Sequence, residues 1–323
     1  FELFNKSFKI IMSLISSPKI IETKILENFI EYQELFIGFQ SSFLSGLYNR
    51  YQGLENGNLV LYFAKLLHQD ILRHKDYDLN FDLSFSKFWE NHRSIIPKKN
   101  SITTIAKDTY LPKETTRRKI LHLTKQKILN KKDKNIGWLP NEQYINSYNL
   151  FIRKEIDGVS KLLVFVCKKL GLSFSKEEIT EEYKKKFSFY WFHLLSAELE
   201  YLKLWSLQLK DLELLFIGLQ ITNIFATKTK NYNISRSNID KNSSVIKNFT
   251  DSSISATSIS EATGISRATC VRKLEILVKL KMISQDKISR RYYLIQSGES
   301  KELISQEFTE KITKIFSEFY FIC

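Results

Sequence analysis

ATSISEATGISRATCVRKLEILVKLKMI occupies residues 256–283, and ITTIAKDTYLPKETTRRKILHLTKQKIL occupies residues 102–129, 154 positions earlier. The two stretches align without a gap. From Ile105/Ile259 onward, 8 of 25 pairs are identical. They are Ile105/Ile259, Thr109/Thr263, Thr115/Thr269, Arg118/Arg272, Lys119/Lys273, Leu123/Leu277, Lys125/Lys279 and Lys127/Lys281. Apolar identities recur at the spacing of a helix's inner face and basic ones at the spacing of its outer face. The same basic, amphipathic device is written twice.

The second copy predicts a short helix, a turn and a longer helix. Ile259 and Ala262 are expected on the inner face of the short helix. Gly264 supplies the turn, where a positive φ costs glycine little. Ile265 is expected to plug the core, and Ser266 to cap the next helix through its hydroxyl. Cys270, Leu274 and Leu277 follow at i, i+4 and i+7 as a buried stripe. That leaves Arg267, Thr269, Val271 and Arg272 outward, the layout of a helix whose N-terminal half enters the DNA major groove. Lys273 and Lys279 sit farther round and suit phosphates. KISRRYYLI then reads as a hairpin with Arg290 and Arg291 at its tip beside Tyr292 and Tyr293.

The first copy departs from this pattern. Its turn, TYLPKE, has no glycine, and Pro112 stands where the second copy has its capping serine; proline is tolerated at a helix start. Thr116, Ile120 and Leu123 form the inner stripe. Lys113, Thr115, Arg117 and Arg118 face outward, with Lys119 and Lys125 farther round. Its hairpin carries Lys131, Lys132 and Lys134, and Trp138 is expected to anchor the return strand.

The charge distribution supports a binding surface. The chain of 323 residues carries a formal charge of +14. Residues 101–134 hold a net +7 and residues 256–293 a net +5, leaving +2 for the remaining 251 residues. A compositional lysine excess would spread evenly; a surface for an anionic partner concentrates it.

Other chemistries are poorly represented. Cys167, Cys270 and Cys323 lack CxxC spacing, which argues against a disulfide framework or a zinc site and fits a reducing cytosol. Cys270, in the inner stripe, reads as a small core residue rather than a redox sensor. His68, His74, His92, His122 and His193 are scattered, and no metal or other cofactor is expected. The weakly charged runs 35–49 and 214–227 are too short to span a bilayer. No nucleophile elbow, P-loop, GxGxxG or carboxylate cluster is present, so the chain does not read as an enzyme.

Helical periodicity covers residues 1–75, and a short helix is expected over 84–97, ended by Pro97. Long helices follow at 145–172, 187–205 and 211–226, with an amphipathic closing helix at 302–322. Residues 175–186 read as a charged joining segment. The polar stretch 227–256 reads as mostly mobile, with a short helix near 243–250. Val60–Leu61–Tyr62–Phe63 matches Leu214–Leu215–Phe216–Ile217 at the same offset, so the repeat extends beyond the basic motif.

These motifs resemble the winged helix-turn-helix domains of bacterial transcription regulators, notably the MarR/IclR-like groups, over about 40 residues per copy. The resemblance implies a mainly α fold with two small β-hairpin wings, a tandem winged helix-turn-helix pseudo-dimer in one chain. Its units would be 1–174 (helix-turn-helix about 101–127, wing about 128–140) and 175–323 (helix-turn-helix about 256–281, wing about 282–295). It also implies a cytoplasmic regulator acting as a monomer on double-stranded DNA, with no membrane association. Room for a small aromatic effector is implied where the helical layer meets a DNA-reading lobe. A plasmid-type replication initiator with tandem winged helices, or a winged-helix protein-interaction scaffold, are the alternative readings.

Overall fold

The computed structural model describes residues 17–96, 99–132, 135–138, 142–231, 253–295 and 305–323. Among them are thirteen helices and two antiparallel two-stranded sheets, so the chain is mainly helical. The helices are α1 (Pro18–Glu27), α2 (Phe29–Tyr51), α3 (Leu54–Tyr77), α4 (Phe88–Ser94), α5 (Ile102–Thr109), α6 (Lys113–Lys125), α7 (Glu142–Lys169), α8 (Lys176–Lys185), α9 (Phe187–Leu209), α10 (Leu212–Asn231), α11 (Ala256–Thr263), α12 (Arg267–Lys279) and α13 (Gln306–Ile322). Strands β1 (Leu129–Lys132) and β2 (Asn135–Trp138) form one hairpin, and β3 (Ile283–Gln285) and β4 (Tyr292–Leu294) the other.

The joining segment 175–186 is largely helix α8, started by a reciprocal capping box between Ser175 and Glu178. Helix α10 runs on to Asn231, into the stretch expected to be mobile. The short helix expected near 243–250 lies outside the described residues.

Two compact units share the chain, and each is assembled from separate stretches. The first contains described residues within 17–32, 58–203 and 309–323; the second contains those within 33–57 and 204–308. The boundary at 174/175 follows the sequence repeat. Compactness instead draws 33–57 into the second unit and 309–323 into the first.

The first unit is held by an aromatic cluster. Trp138, at the end of β2, packs edge-on against Tyr148 of α7 at 4.7 Å between ring centroids, and near Phe88 and Trp89 of α4. Its carbonyl accepts a 2.9 Å hydrogen bond from His92 Nε2. Trp191 of α9 donates to the Tyr148 hydroxyl at 3.1 Å. Trp138 thus anchors the return strand of the first hairpin, as its position in the sequence predicts. Helix α3 reaches α5 through Asn58, whose amide donates to the Thr109 carbonyl at 2.9 Å, and through Tyr62, which donates to Asp108 at 3.1 Å.

In the second unit α10 packs against α11, α12 and β4. Phe216 of α10 lies 5.7 Å from Tyr48 of α2, and Gln220 donates to the Ser41 hydroxyl at 2.7 Å. Val60–Phe63 and Leu214–Ile217, matched in sequence, are buried throughout in their respective helices. Helices α2 and α9 are each 23 residues long. Each is followed by a left-handed residue, Gln52 or Lys210, and then by the next helix, at a constant offset of 158. That is four residues more than the offset of the basic motifs. A four-residue slip is about one helical turn and leaves the buried face in place.

Candidate nucleic-acid interface

The two helix pairs share the same capping and corner geometry. Ser101 caps α5 by accepting from the Thr104 amide, and Ser255 caps α11 by accepting from the Ser258 amide. Each short helix ends in a left-handed residue, Tyr110 at φ 56° and Gly264 at φ 72°. Just before that corner, the buried Thr109 and Thr263 hydroxyls donate 2.7 Å bonds to the carbonyls of Ile105 and Ile259. This accounts for the shared threonine: a buried hydroxyl must find a partner, and here it is the preceding turn. It also corrects the inner-face assignment of the second copy. Ala262 is exposed, and Thr263, one helical turn after Ile259, takes the inward position.

The longer helices, α6 and α12, are each 13 residues. Pro112 and Ser266 stand at their N-caps, and Ser266 accepts from the Thr269 amide. Thr116, Ile120 and Leu123 are buried in α6, as are Cys270, Leu274 and Leu277 in α12. Cys270 is fully enclosed, and burial raises its thiol pKa, so it packs as a core residue. Both helices close in a Schellman motif. The Ile128 amide donates to the Leu123 carbonyl and the Lys127 amide to Thr124; Met282 and Lys281 do the same to Leu277 and Val278. Lys127 and Lys281 both adopt positive φ, at 57° and 56°.

With the apolar stripe turned inward, the polar face of each helix is set. On α6, Lys113, Arg117, Arg118 and Lys125 are exposed, while Thr115 and Lys119 are half-buried. Arg118 and Lys125 are seven residues apart and so form one stripe two turns long. Arg117 is held by Glu114 through two bonds of 2.7 and 3.1 Å, and that pairing lowers the Glu114 pKa. Among the described residues neither Lys113 nor Arg118 has a hydrogen-bonded partner.

On α12, Ser266, Arg267, Arg272 and Lys279 are exposed, and Thr269 and Val271 half-buried. Arg272 and Lys279 repeat the two-turn stripe. Arg267 donates to the Thr257 hydroxyl of α11 at 3.2 Å, and Ser266 donates to the Thr269 hydroxyl at 2.9 Å.

Lys273 does not join this face. It is buried, and its ammonium group pairs with Asp211 and, at 3.3 Å, with Glu213 at the start of α10. The expectation that it contacts phosphate is corrected: its charge is spent inside the second unit, because α10 brings two carboxylates against α12. Those acidic residues lie about 60 positions away in the sequence, and nothing local to the motif marks them.

The hairpins differ in length. Two residues, 133–134, separate β1 from β2, and six, 286–291, separate β3 from β4. Each hairpin is extended by a single bridging residue before its helix pair, Lys99 opposite Asn135 and Ile254 opposite Tyr292. Lys131 is exposed on β1. Lys132 lies on the same strand, its side chain outside the described set, and Lys134 lies outside the described residues. Arg290 and Arg291 are exposed at the second tip, where Arg291 also donates to the Ser253 carbonyl at 3.2 Å. Tyr292 is buried and Tyr293 half-buried, as anchors of the return strand.

No protein-family model, curated protein or solved structure matches this chain.

A cavity of about 230 Å³ lies within the first unit, among α3, α4 and β2. Phe63 and Trp138 line it together with Asp70, Arg73 and His92, and Arg73 pairs with Asp70 at 2.7 Å. Among the described residues no group of three His, Cys, Asp or Glu side chains is placed to hold a metal ion, and no helix is long and apolar enough to cross a membrane.

Proposed function

We propose that this chain is a sequence-specific regulator that binds double-stranded DNA through two non-identical winged helix-turn-helix modules. One observation carries the reading. At two places 154 residues apart, a 13-residue helix buries its apolar stripe and turns a two-turn stripe of arginine and lysine to solvent. Arg118 and Arg272 sit at matched positions on those stripes, where bidentate pairing with guanine contributes about 1–3 kcal/mol of discrimination per contact. Lys125, Lys279 and the hairpin cations would hold the flanking phosphates.

The modules are unequal in ways that bear on sequence preference. Arg117, tied to Glu114, is matched by Val271, and a half-buried valine suits apolar contact with a thymine methyl where an arginine does not. Each module should therefore favour a different half-site, and the chain would act as a monomeric pseudo-dimer on an imperfect palindrome. The small aromatic effector implied by the resemblance would fit the cavity beside Phe63 and Trp138.

Selection of bound sequences from random duplexes tests the proposal. An asymmetric palindrome is expected, with half-sites ~10 bp apart or a small multiple of that. Direct repeats would point instead to an origin-binding initiator, and no enrichment would overturn DNA reading altogether.

A further inference from the structure

The second hairpin carries a feature that a grip on phosphates does not require. Its tip, residues 286–291, is internally braced. Asp286 accepts from the amides of Ile288 and Ser289 at 3.1 and 2.6 Å, its own amide and carbonyl bond to Arg291 and Arg290, and Gln285 donates to the Arg290 carbonyl. The carboxylate is thereby committed to the tip's own amides, which hold its pKa below the usual range. Ile288 is left 95% exposed at the summit, more than any other large apolar side chain among the described residues. Lys287 and Arg290 are exposed on the same tip, while Arg291, also exposed, reaches back to the Ser253 carbonyl.

A β-branched apolar residue is a poor choice for a tight turn, where Gly, Asn, Asp and Ser predominate. An isolated apolar side chain on a surface needs no explanation in general. Flanked in the chain by the exposed Lys287 and Arg290 on a braced tip, it has the chemistry of a wedge: charge for a polyanionic rim and a hydrocarbon for what lies between. The minor groove of duplex DNA offers that combination, with phosphates on both walls and stacked bases at its floor.

We propose that Ile288 enters the minor groove and partly unstacks one base step, kinking the duplex while Lys287 and Arg290 hold the flanking phosphates. The inference rests on the DNA-binding reading above and deepens it. It also makes the kink one-sided. The first hairpin, LNKKDKNIGW over residues 129–138, has no apolar residue between Leu129 and Ile136.

The test uses a duplex of the selected site, with a donor–acceptor pair at its ends and 2-aminopurine placed in turn at each step under the second hairpin. The full chain is expected to kink the duplex by ~20–90° and to raise 2-aminopurine emission at one step. Ile288→Ala should abolish both signals while changing affinity by no more than about 10-fold, since lost contact and relieved unstacking offset each other. Ile288→Phe should restore the emission. Because this side chain is 95% exposed, both variants should unfold at the wild-type midpoint. If Ile288→Ala kinks and unstacks like wild type, the wedge is wrong while DNA reading stands. If wild type binds no duplex, or if Ile288 proves to be needed for binding anionic vesicles and not DNA, the inference falls as well.

Discussion

Tyr110 and Gly264 occupy the same left-handed corner of two matched helix pairs, 154 residues apart, at φ 56° and 72°. Glycine takes this conformation freely. For a residue with a Cβ it costs roughly 1–2 kcal/mol. Tyr110 bears that cost with its ring beneath the Lys203 ammonium, 5.2 Å from the centroid. At Gly264 the surroundings are tighter, since an added Cβ would lie 2.9 Å from Asn49 Oδ1.

Gly264→Ala is therefore expected to lower stability by about 1–2 kcal/mol, read as a shift of the urea midpoint. Tyr110→Gly should change stability by less than about 1 kcal/mol, because relief of the backbone is set against a more flexible unfolded chain and the lost cation–π contact. A loss at Tyr110→Gly as large as that at Gly264→Ala would mean that the Tyr110 side chain contributes more than its backbone strain costs.

Much of this architecture was legible in the sequence. The inner stripes, the Ser266 cap, the glycine turn and the Trp138 anchor all follow from local spacing, because helix periodicity and turn chemistry are short-range properties. The alignment alone did not reveal that Tyr110 adopts glycine's conformation, since a strained corner leaves no local signature. Ala262 is exposed although its spacing suits the inner face, because i+3 and i+4 both border that face and the buried hydroxyl bond of Thr263 decides between them. Lys273 departs from its expected place for a different reason: its partners, Asp211 and Glu213, come from the start of another helix. The interleaving of 33–57 and 309–323 between compact units is likewise a long-range outcome.

The Lys273 pairing separates structure from binding. Lys273→Met should destabilise the fold by about 1–3 kcal/mol, because two carboxylates lose their partner at a largely buried site. It should leave the salt dependence of DNA binding unchanged. Lys279→Ala should do the reverse, preserving stability and reducing the log–log salt slope by about 0.9. Titrations of both variants across salt concentrations check this directly, and a reduced slope for Lys273→Met would return it to the phosphate contacts.

Lys127 and Lys281 end their helices in left-handed conformations that glycine would adopt without strain. Lys127→Gly and Lys281→Gly are each expected to raise stability by up to about 1 kcal/mol in chemical denaturation. A loss at either position would mean that the lysine side chain contributes more than its backbone strain costs.

Two buried histidines make the first unit acid-sensitive. His68 is fully buried, stacked on Phe88 at 4.8 Å, with neither ring nitrogen hydrogen-bonded among the described residues. Burial, and secondarily the nearby His92, lowers its pKa from 6.5 to about 3. Burial likewise lowers His92 to about 4, against the opposing effect of its bond to the Trp138 carbonyl. Below pH 6.5 the unfolded chain therefore takes up protons that the folded chain refuses. Stability is complete above that pH and falls as pH drops toward 4 and then 3. Each histidine should contribute a slope approaching ~1.4 kcal/mol per pH unit within its window. His68→Leu should remove up to ~1.4 kcal/mol per pH unit from the slope between pH 6 and 4, whatever its effect on absolute stability. An unchanged slope would contradict the assignment.

The central claim is that the matched stripes of α6 and α12 read duplex DNA. Its most direct test is the equilibrium affinity of the double variant Arg118→Ala/Arg272→Ala for the selected duplex at ~150 mM salt. With fold and thermal midpoint intact, the loss of two base-reading contacts should weaken binding by about 2–6 kcal/mol, or ~30-fold or more, and erase the preference for the selected sequence. Affinity and preference equal to those of wild type would contradict the account.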